Sequence, residues 1–154
     1  MTKKKWYYSK KKNKHKTPLY DRFGLYSIDR VLSHTIDKPI AKLRKSLEER
    51  GLRWKHYLSI EFDGNPIKMY SQRYVLFKRK GIQCVKCSIK GKYFAMEKHR
   101  NDPSYHFNLY GIDNKGKEVM ITKDHIKAKS RGGRNTQSNY QVMCSKCNEE
   151  KGAN

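Results

Sequence analysis

The sequence predicts an α+β fold built from short strands and few helices. Runs of β-branched and aromatic residues separated by turn residues predict the strands, and one segment has apolar residues at helical spacing. Two Cys-x-x-Cys pairs, at residues 84–87 and 144–147, predict that distant parts of the chain meet. With 154 residues, of which 36% are hydrophobic, the chain can build one compact domain with a small core.

The N-terminal segment, residues 1–18, is predicted to be a flexible basic arm because it is too polar to fold alone. Three aromatic residues, Trp6, Tyr7 and Tyr8, lie among its lysines. The arm could lie along phosphates while the aromatic rings stack on bases or sugars. A solvated tail and a localisation signal are the alternatives.

Residues 37–51 are predicted to form a short helix. The segment has an N-cap candidate at Asp37, an early Pro39 and a terminal Gly51. Its apolar residues at helical spacing are Ile40, Leu43 and Leu47. The basic face of this helix could contact nucleic acid or could simply face water.

A β-hairpin is predicted from Trp54 to Phe77, with strands at residues 54–62 and 67–77 and a turn at residues 63–66. Three further strands are predicted at residues 92–98, 105–112 and 119–122. The chain is thereby divided into the arm, an accessory helix and hairpin region at residues 19–80, and a core at residues 81–154.

The charge of the chain predicts a polyanionic partner. The formal net charge is +22, from 36 Lys and Arg against 14 Asp and Glu. Nucleic acid is favoured over a membrane surface because the sequence has no long apolar span and no lipidation motif. Simple solubility is the alternative explanation. No apolar segment follows the N-terminal lysines, so a reducing cytosol or nucleus is the predicted location, with the cytoplasm of a bacterial host if a phage encodes the protein.

In a reducing compartment two Cys-x-x-Cys pairs favour a zinc site over disulfides. The four predicted ligands of this structural Zn²⁺ are Cys84, Cys87, Cys144 and Cys147. A redox pair is disfavoured because the βαβ setting of such pairs is missing. The metal would stabilise a domain whose apolar core is small.

Chemistry-bearing residues follow one another near the C-terminus. Residues 124–152 read D-H-I-K-A-K-S-R-G-G-R-N-T-Q-S-N-Y-Q-V-M-C-S-K-C-N-E-E-K-G. This stretch resembles the His-Asn-His (HNH) endonuclease family, whose ββα-metal core has two antiparallel strands and a helix around one divalent metal. The resemblance covers about the last third of the chain, and Ala128 stands where many members have proline.

The resemblance implies a role for each matching residue. His125 is the expected general base, since the imidazole titrates near neutral pH. Asp124 and Asn148 are the expected ligands of a catalytic Mg²⁺ or Mn²⁺, because both offer hard oxygen atoms. Asn139 is expected to fix the base by hydrogen bonds across the loop, although Asn135 lies close enough to take that part.

Each assignment has a plainer alternative. His125 could be a buried structural histidine, Asp124 could pair with a nearby lysine, and Asn148 could be a helix-cap or turn residue. Basic side chains near the motif could bind phosphates or be solvated. Those in the loop and the two cysteine pairs are Lys129, Arg131, Arg134, Lys86 and Lys146.

The sequence therefore predicts a metal-dependent endonuclease that hydrolyses phosphodiester bonds in DNA and nicks one strand per active site. The alternatives are a zinc-bound nucleic-acid-binding protein without catalysis and an RNA-directed nuclease or ribosome-associated factor. Small lysine-rich chains of this type are associated with phages and mobile elements. Sequence specificity and oligomeric state are left open.

Overall fold

The structure is a computed structural model that describes residues 5–6 and 20–152. The rest of the predicted N-terminal arm lies outside the described residues. The strands are β1 Lys5–Trp6, β2 Tyr20–Tyr26, β3 Ser59–Phe62, β4 Asn65–Lys68, β5 Gly91–His99, β6 Tyr105–Ile112, β7 Glu118–His125 and β8 Tyr140–Cys144. The helices are α1 Ile28–Leu32, α2 Ile40–Glu49, α3 Trp54–Tyr57, α4 Gln72–Lys80 and α5 Ser145–Lys151. The predicted α+β class is confirmed.

The described strands form one eight-stranded sheet, and β6 is its branch point. One edge of β6 pairs with β5, which continues to β2 and β1. The other edge pairs with β4 at Tyr105 and with β7 from Leu109 onward. Strands from residues 19–80 and 81–154 thus share one sheet, and the division at residue 80 stays a prediction.

Helix α4 fills the gap between β4 and β7 along the edge of β6. The Tyr74 hydroxyl accepts a hydrogen bond from the backbone N–H of Phe107 at 2.9 Å. The Arg73 guanidinium donates to the Phe107 carbonyl at 2.7 Å and to Asn108 Oδ1 at 2.9 Å. The backbone of β6 is therefore hydrogen-bonded where no strand covers it.

The predicted hairpin is wrong over much of both strands. In the first, residues 54–62, Trp54–Tyr57 form α3 and only Ser59–Phe62 form a strand. The second, residues 67–77, is wrong over most of its length. Strand β4 ends at Lys68, and residues 72–80 form α4. Four consecutive residues of this helix, from Tyr74 to Phe77, are buried. A short, continuously apolar run cannot be distinguished from a strand by periodicity, and burial on several sides of the helix overrides the β propensity of such residues.

The predicted helix at residues 37–51 is confirmed as α2, with a different first residue. Pro39 is the N-cap residue, whereas Asp37 accepts two hydrogen bonds from the Arg79 guanidinium of α4, at 2.5 and 2.7 Å. The contact with Arg79 lowers the pKa of the Asp37 carboxyl below its usual value. Asp37 thus connects α4 to the segment before α2 instead of capping a helix.

The apolar core lies between α4 and one face of the sheet. Its largest fully buried side chains include Tyr74, Phe77, Phe94, Phe107, Leu109 and Ile121. The same cluster includes Cys84, Cys144 and Cys147. The cysteine pairs are therefore continuous with the hydrophobic core, as expected if a metal site supplements a small core.

A buried polar cluster on the opposite face of the sheet joins β2, β5, β6 and β7. The Glu97 carboxylate accepts hydrogen bonds from Tyr110 at 2.5 Å, Asn108 at 2.8 Å and Arg22 at 3.0 Å. Arg22 also binds Glu118 of β7, at 3.0 and 3.1 Å. Burial raises the pKa of Glu97 while these donors lower it, and the net direction is upward. The cluster favours this register because any slip would separate its partners.

Candidate functional site

Strands β7 and β8 and helix α5 form the scaffold of the site. The two strands are antiparallel, with Ile121 opposite Cys144 at one end and His125 opposite Tyr140 at the other. Helix α5 follows β8 directly, because Cys144 ends the strand and is the N-cap residue of the helix. The Cys144 sulfur accepts a hydrogen bond from the Cys147 N–H at 3.4 Å. The predicted arrangement of two antiparallel strands and a helix is confirmed.

The four cysteines converge at the start of α5. Their sulfur atoms all lie within 4.8 Å of one another, and Cys87 Sγ is 3.6 Å from Cys144 Sγ. Four sulfurs bound to one Zn²⁺ at about 2.3 Å lie about 3.8 Å apart in a tetrahedron. The spacing of the four thiols fits one tetrahedral metal ion. Cys84, Cys144 and Cys147 are buried, and Cys87 is exposed.

The surroundings of the cluster shift its thiols in opposite directions. Burial raises the pKa of the Cys84 thiol, but hydrogen bonds from the backbone of Cys87, Cys144 and Lys86 outweigh it and lower the pKa to about 6. Burial and hydrogen bonds with neighbouring thiols raise the pKa of Cys147. The thiolate form is thus favoured at Cys84 and disfavoured at Cys147, and a cation bound among the sulfurs would favour it at both.

Asp124 is buried at the end of β7 and faces α5. Its side chain accepts hydrogen bonds from Gln141 Nε2 at 2.9 Å and from Lys151 Nζ at 2.6 Å. Asn148, one helical turn before Lys151, donates from Nδ2 to Thr122 Oγ1 at 3.2 Å. Thr122 and Asp124 are two residues apart in β7, so their side chains lie on the same face of the strand. Helix α5 contacts this face through Asn148 and Lys151. Asp124 is thus paired with a lysine, and the amide oxygen of Asn148 is the atom that can bind a cation.

His125 follows Asp124 and lies against the next loop. Its Nε2 is 2.8 Å from Asn135 Oδ1, and its ring packs edge-on against Tyr140 with 5.0 Å between centroids. An amide oxygen accepts hydrogen bonds, so this contact favours the neutral tautomer with the imidazole proton on Nε2. In that tautomer the lone pair is on Nδ1.

Asn139 holds the loop that connects His125 to β8. Its side-chain oxygen accepts from the Lys127 N–H at 2.9 Å, and its amide nitrogen donates to the carbonyls of Lys127 and Arg134, each at 3.0 Å. Its own carbonyl accepts from the Ile126 N–H at 2.8 Å. A Cβ at Gly133 would lie 1.8 Å from the Lys127 carbonyl oxygen, so this close approach requires glycine.

The strands, helix and loop around these residues lie in one matched segment. Residues 113–154 match the HNH endonuclease family. The match includes β7, β8 and α5 with Asp124, His125, Asn139 and Asn148, and it indicates a nuclease. No curated protein and no solved structure matches the chain. No helix among residues 5–6 and 20–152 has the length and apolar character needed to cross a membrane.

The first cysteine pair lies outside the matched HNH segment. Cys84 and Cys87 precede β5, and an isolated bridge between Gln83 and Lys90 closes their turn. The Val85 N–H donates to the Val142 carbonyl of β8 at 3.0 Å. The segment before the match thus contacts the HNH segment through backbone as well as sulfur.

The predicted phosphate-binding residues fall into two groups. Lys129, Arg131 and Arg134 are exposed on the loop of the HNH segment. Lys146 is 2.5 Å from Asp113 and lowers the pKa of that carboxyl to about 2, and Lys86 is 3.5 Å from Glu150. Only the loop group presents its charges without such a carboxylate contact in the described ion pairs.

Lys151, Gln141 and Thr122 were not predicted as part of the HNH site. Lys151 follows Asn148 by three residues, a spacing that places two side chains on one face of a helix. Gln141 lies opposite Asp124 in the register of β7 and β8. Helical spacing could have pointed to Lys151, whereas Gln141 required the register of the strands.

Proposed function

We propose that the protein is a metal-dependent endonuclease that hydrolyses phosphodiester bonds in DNA and nicks one strand per active site. The observation that carries the proposal is that a family-matched ββα segment positions a buried carboxylate and an oriented imidazole at the end of β7 and an amide on α5. These groups correspond to the metal ligands and general base that hydrolysis requires.

His125 is the proposed general base. With its Nε2 proton directed at Asn135, the Nδ1 atom can accept a proton from the attacking water. Asn139 keeps the loop that contains Asn135 in place through its three side-chain hydrogen bonds. Asn135 and Asn139 are therefore positioning residues, one at the imidazole and one at the loop.

Asp124 and Asn148 are the proposed ligands of a catalytic Mg²⁺ or Mn²⁺. Both offer oxygen atoms, and the Asp124 carboxylate already attracts a cation, the ammonium of Lys151. A divalent ion bound there would supply positive charge for the departing oxyanion. Gln141 holds the Asp124 carboxylate through its amide, which fixes the orientation of the ligand.

The four-cysteine cluster is proposed to bind one structural Zn²⁺. The spacing of the sulfurs fits that ion, and the site has no position for a substrate among its four protein ligands. Four thiolates around Zn²⁺ have a net charge of minus two, which Lys86 and Lys146 in the two cysteine pairs would offset. The four thiols are free of disulfides, which is consistent with a reducing cytoplasm.

DNA is the proposed substrate because the chain carries a net charge of +22 and the match indicates a nuclease. Lys129, Arg131 and Arg134 are proposed to bind phosphates on either side of the scissile bond. The proposed zinc-stabilised nuclease core comprises residues 81–154, and residues 19–80 are proposed as an accessory region.

Cleavage of supercoiled plasmid by the zinc-loaded protein, with Mg²⁺ or Mn²⁺, tests the proposal. The intact protein is expected to produce nicked circles, and His125→Ala to lower the rate by about 10²–10⁴-fold while DNA binding is retained. His56→Ala, in the exposed helix α3, controls for the loss of one imidazole.

Two results would contradict this proposal. Equal nicking by His125→Ala and the intact protein would exclude the assigned base. Tight, salt-sensitive DNA binding without cleavage would direct the same assay to RNA duplexes, and failure there would favour a non-catalytic binding protein.

A further inference from the structure

Lys151, the last residue of α5, places its ammonium group among oxygen atoms at the end of β7. Its Nζ lies 2.6 Å from Asp124 Oδ2, 2.5 Å from the His125 carbonyl and 3.5 Å from the Ile126 carbonyl. The side chains of Lys151 and Asp124 are only 17% and 9% exposed. Water therefore screens this ion pair little.

These oxygen atoms are of the kind that a hard divalent cation binds. A carboxylate and backbone carbonyls are the usual protein ligands of Mg²⁺ and Mn²⁺. Asp124 is also the carboxylate that the proposed function assigns to the catalytic ion. An ammonium at hydrogen-bond distance from Asp124 Oδ2 repels a metal ion that approaches the same oxygen, because both are positively charged.

We infer that Lys151 is a resident cation that occupies the catalytic metal site of the metal-free protein and is displaced when the metal binds. The inference rests on the proposed function, since it takes Asp124 as a metal ligand. A buried carboxylate without a counter-charge is unstable, so the ammonium stabilises the metal-free site. The flexible four-carbon stem of lysine lets the ammonium move out without unfolding α5.

Displacement has a measurable cost in metal affinity. If about 90% of the metal-free molecules hold the Lys151–Asp124 pair, the apparent affinity for metal is lowered about tenfold. Removing the ammonium should therefore tighten metal binding, even though it adds no ligand. A residue that helped to hold the bound metal would have the opposite effect when removed.

The test is Mn²⁺ binding to the zinc-loaded full chain, followed by the electron paramagnetic resonance of free Mn²⁺ at constant pH and ionic strength. Lys151→Met and Lys151→Gln are expected to bind Mn²⁺ about tenfold more tightly than the intact protein. The glutamine variant keeps a hydrogen-bond donor near Asp124, so Mn²⁺ binding can still be measured if the methionine variant folds poorly. Lys92→Met removes an exposed lysine of β5 and is expected to bind within about twofold of the intact protein.

Thermal melting gives a second readout. Without Mn²⁺ the Lys151 variants should melt below the intact protein, and saturating Mn²⁺ should raise their Tm more than it raises that of the intact protein. Unchanged or weaker Mn²⁺ binding in both Lys151 variants would overturn the inference without contradicting the proposed metal site. Absence of Mn²⁺ binding in all four proteins would overturn both the inference and the proposed metal site.

Discussion

Asn139 shows how one side chain can fix the loop beside the proposed general base through backbone contacts alone. Its amide group contacts the backbone at two points of the loop, Lys127 and Arg134. Asn135, which contacts the imidazole of His125, follows Arg134 directly. A small displacement of this loop would therefore change the direction in which His125 faces.

Asn139→Ala is expected to lower single-turnover cleavage about 10–100-fold, as is typical when a group that orients a reactive residue is removed. DNA binding should change less than twofold, because the side chain lies within the loop. Asn139→Asp keeps the acceptor for Lys127 but places a carboxylate oxygen where the amide nitrogen lies 3.0 Å from two carbonyl oxygens, and should therefore cleave no faster than the alanine variant.

Ser138→Ala is the matched control for this prediction. Ser138 precedes Asn139, and its exposed hydroxyl contacts only Thr136 among the described side-chain hydrogen bonds. Cleavage by this variant should equal that of the intact protein. If Asn139→Ala cleaves DNA at the same rate as Ser138→Ala, the loop does not need its amide bonds.

Helix α5 depends on its neighbours because it has only seven residues. Isolated helices of this length are not stable in water. Its first turn is held by the sulfur of Cys144, and its second turn contacts β7 through the hydrogen bond from Asn148 to Thr122. A metal ion bound by the cysteines would fix the start of the helix and therefore the position of Asn148 relative to Thr122.

Cys87→Ser is expected to abolish stoichiometric zinc binding and to lower the Tm by roughly 10 °C. We assume that losing the zinc lowers the free energy of unfolding by about 3 kcal/mol. Each kcal/mol lowers the Tm of a domain of this size by roughly 3 °C. Zinc content and calorimetry measure the two effects. Amide hydrogen exchange should show β8 and α5 losing protection, whereas β5 and β6 keep theirs.

Val85→Ser is the control for the zinc prediction, because Val85 is exposed in the same turn and offers no metal ligand. Its zinc content and Tm should match the intact protein. Full zinc content in Cys87→Ser would show that the cysteines do not act as one four-ligand site.

Across the whole molecule, stability should depend on pH through His106 of β6. Burial and then the nearby Arg73 of α4 lower the pKa of His106 to about 4, while Asp102 opposes and His99 of β5 adds to the shift. The unfolded chain binds a proton near pH 6.5, so the histidine favours unfolding as the pH falls. The stability is complete above about pH 6.5 and is lost progressively down to about pH 4.

Urea unfolding at pH 7 and pH 5 measures this effect. From the two pKa values, the free energy of unfolding should fall by at most about 2 kcal/mol through His106 between these conditions. His106→Gln should reduce the fall by that amount, and His56→Gln controls for the loss of one histidine. An identical pH dependence in the intact protein and His106→Gln would contradict the prediction.

The order of residues in the chain predicted the chemistry of the site, but it did not predict which side chains contact one another there. The resemblance carried by residues 124–152 predicted the ββα segment, and the spacing of the two cysteine pairs predicted the metal cluster. The contact of Lys151 with Asp124 was foreseen only as a salt bridge to some lysine, because many lysines could have reached it. Which one does so depends on how α5 lies on β7.

The architecture before the site was harder to predict. Residues 72–77 are rich in strand-forming residues yet form α4, because the helix is buried against the sheet. Strand β2, which pairs with β5, was not predicted, and it contributes Arg22 to the buried cluster around Glu97. Such long-range pairings follow from the complete sheet and cannot be derived from local patterns.

The pairing of β7 with β6 and the division of the cysteine cluster between two segments determine whether the family-matched segment could fold outside this protein. Residues 113–154 contain β7 but exclude β6, the strand with which β7 pairs. They also exclude Cys84 and Cys87, which are half of the cysteine cluster. Transplanted alone, this segment would expose an unpaired strand edge and keep two cysteines that cannot complete a tetrahedral site. The smallest unit that could be grafted onto another protein therefore begins before Cys84, so the unit that evolution or engineering can move is larger than the family motif.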